Sequence, residues 1–259
     1  MPPPKLRALL LDMDGVLWRD TEPIGDLPAL VQKIEAKGLQ TAFVTNNATK
    51  TVEQYQEKFR GFGVKIPAER IHTSSKVAAH ILSQQHPNRG NVYVIGERGL
   101  REAIHDQGFQ INENNPLAVV VGLDRYLTYE KLATATRLIR AGAAFIGTNP
   151  DRTLPSPDGQ VPGAGSILAA LEASTGVKPT IIGKPEPALL DSALAQLGIL
   201  PEESLMVGDR VETDVVAGQK AGCRTALLLS GVTGKAAARA WKPAPDYIEN
   251  DLVTLIEKL

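Results

Sequence analysis

Short apolar runs without polar alternation recur along the chain, and several of them stop abruptly on polar residues. The first, 6–16, reads Leu-Arg-Ala-Leu-Leu-Leu-Asp-Met-Asp-Gly-Val and ends in two carboxylates and a glycine. Runs of this kind read as strands buried on both faces, and such a strand has no reason of its own to finish on Asp12 and Asp14. If extended geometry persists through Met13, the period of two places both carboxylates on one side of the chain. A strand followed by an ordinary acidic turn is the alternative at this point, since Asp-Gly is common turn chemistry. Segment 17–26 mixes Trp, Arg, Asp, Thr, Glu, Pro and Gly and reads as an irregular flap. Leu27, Leu30, Val31 and Ile34 then recur at helical spacing, with Asp26 as N-cap and Gly38 just past the end. A second buried strand, 39–44, ends in Thr45, Asn46 and Asn47. The β-α-β order predicts a parallel pair with a right-handed crossover, so both strands deliver polar groups to one edge.

The pattern continues with a polar amphipathic helix over 50–61, with Val52, Tyr55 and Phe59 inward, and a connection over 64–75 whose Ser/Thr cluster caps a helix over 77–82. After the polar break His86-Pro-Asn-Arg-Gly a new alternation begins: strand 92–95, helix 97–107, strand 117–121, helix 128–141, strand 143–147. Segment 149–163 is too rich in Pro, Gly and Asp to read as regular, and loops of that length are often functional. Gly163-Ala-Gly-Ser166 opens a helix to 174. Its amides suit a phosphate, but glycines are ordinary at helix starts, and no preceding strand makes this a dinucleotide fingerprint. A short strand over 180–183 leads to Lys184-Pro-Glu-Pro and a helix over 188–197. Strand 205–207 runs into Gly208-Asp209-Arg-Val-Glu-Thr-Asp214, followed by helix 214–221, strand 224–229 ending in Ser230-Gly231, and a final helix over 250–258.

Composition narrows the function classes. A chain of 259 residues can hold one large or two modest domains with a real core. A net charge of -1 argues against a nucleic-acid surface. Cys223 is the only cysteine, which excludes an intrachain disulfide and thiol-rich metal sites. The Met-Pro-Pro-Pro start is followed by too short an apolar run for a signal peptide, and no apolar run is long enough to span a bilayer, so a soluble cytoplasmic protein with no membrane partner is expected. The four histidines are scattered and read as structural or surface residues.

Four strand ends carry unusual polar groups: Asp12 and Asp14; Thr45 and Asn46; Lys184; Asp209 and Asp214. In a parallel sheet those ends share one edge, so groups far apart in sequence can meet. Several carboxylates without cysteine or clustered histidine make an oxygen-rich site suited to a hard cation, with Mg²⁺ as the expectation. A lysine and a Thr/Asn pair beside it complete a site for a dianionic oxyanion, best a phosphate. One carboxylate can attack phosphorus while the other moves the proton, though spacing alone does not say which does which, and metal-assisted hydrolysis without a covalent step has the same signature.

Asp12-Met-Asp14-Gly-Val, Thr45-Asn-Asn, Lys184-Pro and Gly208-Asp209-Arg-Val-Glu-Thr-Asp214, in that order, resemble the four motifs of the haloacid dehalogenase superfamily. The Thr-Asn-Asn form and the long insertion between the second and third motifs resemble its NagD-like, p-nitrophenylphosphatase-like branch. The resemblance covers essentially the whole chain. It implies an α/β fold, with a Rossmann-like parallel-sheet core over 1–78 and 180–259 and an inserted α/β cap domain over 79–179. It implies a Mg²⁺-dependent phosphatase acting on small phosphorylated metabolites through an aspartyl-phosphate. Asp12 would be the nucleophile, and Asp14 the general acid/base whose backbone carbonyl also binds metal. Asp209 would ligate Mg²⁺, and Asp214 would ligate it or support its water shell. Gly15, Thr45, Asn46, Asn47 and Lys184 would hold the phosphoryl group. Asn149, Asp151 and Gly163 are the candidates for leaving-group specificity, and a homodimer through the cap is expected. A phosphomutase, or a phosphate-binding protein without turnover, are the competing expectations.

Overall fold

Leu9, Leu10 and Leu11 are buried because Ala8–Leu11 lies inside a six-stranded sheet, flanked by Ser204–Gly208 and Gln40–Thr45. The computed structural model describes residues 4–156 and 158–259; the Met-Pro-Pro-Pro start and the 149–163 segment therefore each have a part, 1–3 and 157, outside the described residues. The chain divides into two units, one of residues 1–45, 53–72 and 184–259, the other of 46–52 and 73–183.

In the first unit the sheet runs Tyr247–Glu249, Arg224–Leu228, Ser204–Gly208, Ala8–Leu11, Gln40–Thr45, Ile71–Thr73. Ala8–Leu11 pairs in parallel with both neighbours, Leu11 lying opposite Val207 on one side and Phe43 on the other. Strand order reverses across this central strand, the position at which open α/β sheets bind ligands beyond their carboxyl ends. The helix Leu27–Ala36 begins on Asp26, whose carboxylate accepts from the amide of Ala29 at 3.0 Å, as the sequence predicts. Its crossover returns the chain to Gln40–Thr45. Beneath this half of the sheet, Phe59 from the helix Val52–Gly61 stacks edge-on against Phe43 and Trp18, with ring centroids 4.7 and 5.0 Å apart.

The second unit has its own parallel five-stranded sheet, in the order Thr180–Ile181, Ala144–Gly147, Ala118–Val121, Asn91–Ile95, Gln110–Ile111. Val119, Val121, Phe145, Ile139 and Leu168 belong to the apolar core between this sheet and its helices.

The α/β class and the parallel pairing stand as expected. Three details differ. The 17–26 flap holds a hairpin, Trp18–Arg19 against Glu22–Pro23, its two-residue connection admitted by Asp20 at φ +49°; Asp tolerates the left-handed region through local hydrogen bonding. The 149–163 segment pairs Thr153–Ser156 with Gly159–Pro162 as an antiparallel ribbon. Gly159–Pro162 is exposed throughout, so there was no apolar alternation to read. Thr73, from the predicted Ser/Thr cluster, caps the third helix by accepting from the amide of Lys76 at 3.1 Å, but that helix, Ser74–Gln85, extends three residues beyond the predicted 77–82 at each end.

Candidate active site

Three carboxylates and a lysine meet at the carboxyl ends of the central strands in the first unit. Asp12 directly follows Ala8–Leu11, and its amide still bonds to the carbonyl of Val207 at 2.9 Å, so the strand geometry carries the residue to the edge. Asp209 directly follows Ser204–Gly208. From there the chain makes a wide turn over Val211–Val215, in which the amide of Val215 reaches back to the carbonyl of Arg210 at 3.3 Å. Turns of this π type are rare and concentrate at functional sites. Here the turn folds the Asp214 carboxylate back on its own strand end: Oδ2 accepts from the amides of Asp209 and Arg210 at 3.1 and 3.0 Å. A Cβ on Gly208 would overlap that carboxylate.

Lys184 is buried and bridges the cluster. Its Nζ lies 2.6 Å from Oδ1 of Asp12 and 2.7 Å from Oδ1 of Asp214. Burial is the strongest influence on this ammonium and acts to lower its pKa, but the charges of Asp12 and Asp214 outweigh it and hold the pKa above the ordinary lysine value. Burial above all raises the Asp12 carboxyl well above the usual carboxylate range; Lys184 pulls it down, while Asp214 and Asp209 push it further up. Burial, then the neighbouring Asp214 charge, pushes Asp209 up to about 6.

Asp209 is fixed from the opposite side by the loop after Arg224–Leu228. Its Oδ2 accepts from the amide of Val232 at 2.8 Å, and its carbonyl from the amide of Thr233 at 3.0 Å. Ser230 Oγ in turn donates to the carbonyl of Gly15 at 2.7 Å, and the Arg19 guanidinium donates to the carbonyl of Ser230, the Nε contact being 2.8 Å. Gly15 sits at φ +85° with its Cα against Asp209; a Cβ there would lie 2.5 Å from Oδ2 of Asp209, so glycine is required on two counts.

The cluster fits a hard divalent cation. One oxygen each of Asp12, Asp209 and Asp214 lie within 4.8 Å of one another. Three buried carboxylates face one ammonium, an excess of two negative charges that a divalent cation cancels. Both Asp214 oxygens are engaged by Lys184 and backbone amides, whereas Lys184 bonds to Oδ1 of Asp12 and the amide of Val232 to Oδ2 of Asp209. These contacts leave Oδ1 of Asp209 as a position for a cation and Oδ2 of Asp12 outside the lysine bond, with Asp214 holding the frame.

Asp14 stands apart from the carboxylate cluster. It is exposed, and its Oδ1 accepts from the indole Nε1 of Trp18 at 2.7 Å. Thr45 is buried at the end of Gln40–Thr45. Tyr55, which the sequence shows only as an inward helix position, is buried near this edge. Burial first, and the negative charges of Asp14 and Asp12 with it, keep its phenol far above the ordinary value and therefore neutral.

The remaining predicted residues lie in the second unit. The carbonyl of Asn46 accepts from Ser74 Oγ at 2.7 Å and from Asn149 Nδ2 at 2.8 Å, and Asn46 Nδ2 faces Oδ2 of Asp151 at 3.4 Å. Asn47 Oδ1 accepts from the amide and hydroxyl of Thr49 at 2.9 and 2.7 Å, an Asx turn that shapes the loop. The amides of Gly163 and Gly165 bond to the carbonyls of Arg152 and Asp151, both at 2.8 Å, so the glycine-rich helix start closes the 149–163 segment by its own backbone. The structure thus joins Asn149 and Asp151 to Asn46, and brings Gly163 against Asp151. Residues that sequence reasoning missed are Trp18, Tyr55, Ser230, Val232 and Thr233; of these only Ser230 carried a signal, as the polar end of a strand.

A parallel sheet whose carboxyl edge gathers carboxylates, a lysine and a buried threonine suits phosphoryl transfer. The sequence matches the family profile of haloacid dehalogenase-like hydrolases over residues 9–110 and that of HAD-hydrolase-like proteins over residues 181–255. It is 39% identical over 250 residues to the dihydroxyacetone phosphatase of Corynebacterium glutamicum, covering 96% of this chain and 90% of that protein. It is 41% identical over 227 residues to the 5'-nucleotidase YutF of Bacillus subtilis, covering 88% of each. Among solved structures, a p-nitrophenyl phosphatase from Archaeoglobus fulgidus superposes with a TM-score of 0.93 at 32% identity over 99% of this chain and 100% of that one. NagD from E. coli K-12 does so with a TM-score of 0.89 at 31% identity over 96% and 98%. The chain belongs to the haloacid dehalogenase-like hydrolases, and within them to the NagD-like, p-nitrophenylphosphatase-like subfamily. Its enzyme class is phosphoric monoester hydrolase. Among the described residues no helix is long and apolar enough to cross a membrane.

Proposed function

We propose that the protein hydrolyses small phosphate monoesters in two steps through a phosphoryl group carried on Asp12. The observation that carries this reading is the Lys184 bridge: by taking Oδ1 of Asp12 it leaves Oδ2 as the attacking atom and sets a positive charge beside the point of attack. In the first step Oδ2 forms a bond to phosphorus while the ester P–O bond breaks, its electron pair leaving with the alkoxide oxygen. Asp14 supplies the proton that oxygen needs. In the second step water attacks phosphorus, gives its proton to Asp14 and restores the Asp12 carboxylate. Thr45 and Asn46 orient the phosphoryl oxygens, with Asn47 shaping their loop; Gly15, expected to offer its amide to the phosphate, instead donates it to the carbonyl of Trp18 at 2.8 Å.

Asp12, Asp209 and the Asp14 carbonyl would hold Mg²⁺, with Asp214 supporting the site. The ion, when bound, neutralises charge on the transferring group. Leaving-group recognition is assigned to the inserted unit, with Asn149, Asp151 and Gly163 as its elements. The names of the relatives favour a triose phosphate and nucleoside monophosphates as substrate classes. The same reading extends to a cytoplasmic homodimer.

The test is turnover of p-nitrophenyl phosphate with Mg²⁺, with and without chelator, by the native chain and by Asp12→Asn. Metal-dependent turnover that Asp12→Asn abolishes is expected. Hydrolysis persisting in that variant would overturn the covalent mechanism.

A further inference from the structure

Trp18, outside the motifs, donates directly to Asp14, the residue to which proton transfer is assigned. Its indole is fixed without any help from Asp14. The residue is completely buried, its ring lies edge-on to Phe59 with centroids 5.0 Å apart and against Phe62 at 5.7 Å, and the ammonium of Lys58 sits 4.1 Å above its face. Its carbonyl accepts from the amide of Gly15 at 2.8 Å, pinning the backbone to the phosphate-facing loop. Asp14, by contrast, is exposed, and a short side chain in that position has several staggered rotamers open to it. The 2.7 Å bond from Nε1 to Oδ1 is what selects among them.

The chemistry of the donor adds a second consequence. An indole N–H can only donate, so the oxygen it meets must offer a lone pair whether the carboxyl is ionised or neutral. When Asp14 carries a proton, that proton therefore resides on Oδ2. We propose that Trp18 is a positioning residue that reserves Oδ1 of Asp14 as acceptor and so assigns proton delivery, and later proton uptake from water, to Oδ2. The inference rests on Asp14 being the general acid. The balance is that of the first step above: Oδ2–H breaks as the leaving oxygen takes the proton, and the O–H electron pair stays on the Asp14 carboxylate, whose Oδ1 keeps its bond from Trp18.

The experiment compares kcat/KM for phenyl phosphate and p-nitrophenyl phosphate, two esters of the same shape that differ in how much their leaving oxygen needs a proton. This parameter reports the steps up to leaving-group departure. The variants are Trp18→Phe, Trp18→3-benzothienylalanine, Asp14→Asn and the double variant Trp18→Phe/Asp14→Asn. The benzothienyl side chain keeps the bicyclic shape and lacks the N–H, so it answers the question if Trp18→Phe fails to fold. Removing the donor should lower the phenyl to p-nitrophenyl ratio at least about tenfold, within the range general acids supply. Asp14→Asn should lower it at least as far, and the double variant no further than Asp14→Asn alone. If Asp14→Asn is selective while both Trp18 variants lose the two esters equally, or if the two effects multiply, Trp18 serves packing only and the proposal fails. If Asp14→Asn itself treats the two esters alike, Asp14 is not the acid, and both that assignment and the role of Trp18 fall.

Discussion

The ammonium of Lys184 lies 2.6 Å from Oδ1 of Asp12, although 172 residues separate them in sequence. Asp214 completes the bridge at 2.7 Å, and all three side chains are buried. Lys184→Met removes the positive member and leaves the carboxylates facing one another. Breaking a buried pair from one side costs roughly 3–5 kcal/mol, so the melting temperature should fall markedly. Loss of the charge beside the nucleophile should lower kcat by about 10²–10³. Thermal melts and steady-state kinetics check both; a variant with native kcat would show that this lysine does not face the reacting group.

The raised carboxyls make stability depend on pH in a fixed direction. Asp209 is pushed up from 3.8 to about 6 in the folded chain, and Asp12 is raised as well, so the folded state binds more protons than the unfolded one through this window. The contribution of Asp209 is complete below the unfolded value and is lost as pH rises through about 6, and that of Asp12 is lost in the same direction. With chelator present, the difference in melting temperature between the native chain and Asp209→Asn should therefore shift against the native chain on going from about pH 5 to about pH 8. Mg²⁺ should raise the native melting temperature more at the higher pH, where the carboxylates are ionised. A Mg²⁺ shift that is larger at the lower pH would contradict the assignment.

Gly208 bears on the site through space alone. Its Cα abuts the Asp214 carboxylate, which is held by the amides of Asp209 and Arg210. Gly208→Ala should displace that carboxylate and with it Lys184, lowering kcat at least about tenfold, with an overpacking cost of about 1–3 kcal/mol. Unchanged kinetics would mean that the strand end absorbs the methyl without moving Asp214.

Specificity should be separable from chemistry. Exchanging residues 149–163 for the corresponding segment of a relative should change the ranking of a panel of phosphorylated metabolites by kcat/KM, with a smaller effect on p-nitrophenyl phosphate. Equal effects on every substrate would remove the segment from leaving-group recognition.

The strand ends were legible in the sequence because a strand buried on both faces leaves no place for Asp12, Asp209 or Thr45 except its terminus, and a parallel sheet aligns those termini. What escaped sequence reasoning depends on contacts with no periodic signature. Trp18 reads as part of a polar flap, yet it is buried in a hairpin whose turn rests on the left-handed Asp20. The π-type turn that aims Asp214 looks like the first turn of an ordinary helix, because Val211 and Val215 have helical spacing. Val232 and Thr233 hold Asp209 through backbone amides, which no choice of side chain announces. The helix Lys235–Ala240 buries only Ala238, and Tyr247–Glu249 is a three-residue edge strand, too little apolar pattern for either to register. The ribbon over Thr153–Pro162 was hidden for the same reason.

The central claim is that the Asp12 carboxylate becomes covalently bound to phosphorus. Quenching the enzyme during turnover, reducing it with borohydride and sequencing the peptides by mass spectrometry measures this directly, because borohydride converts an aspartyl-phosphate to homoserine and leaves a free carboxylate untouched. Homoserine at position 12, absent without substrate and absent in Asp12→Asn, is the predicted result. Full turnover with no modified residue, or with the modification at any other carboxylate, would contradict it.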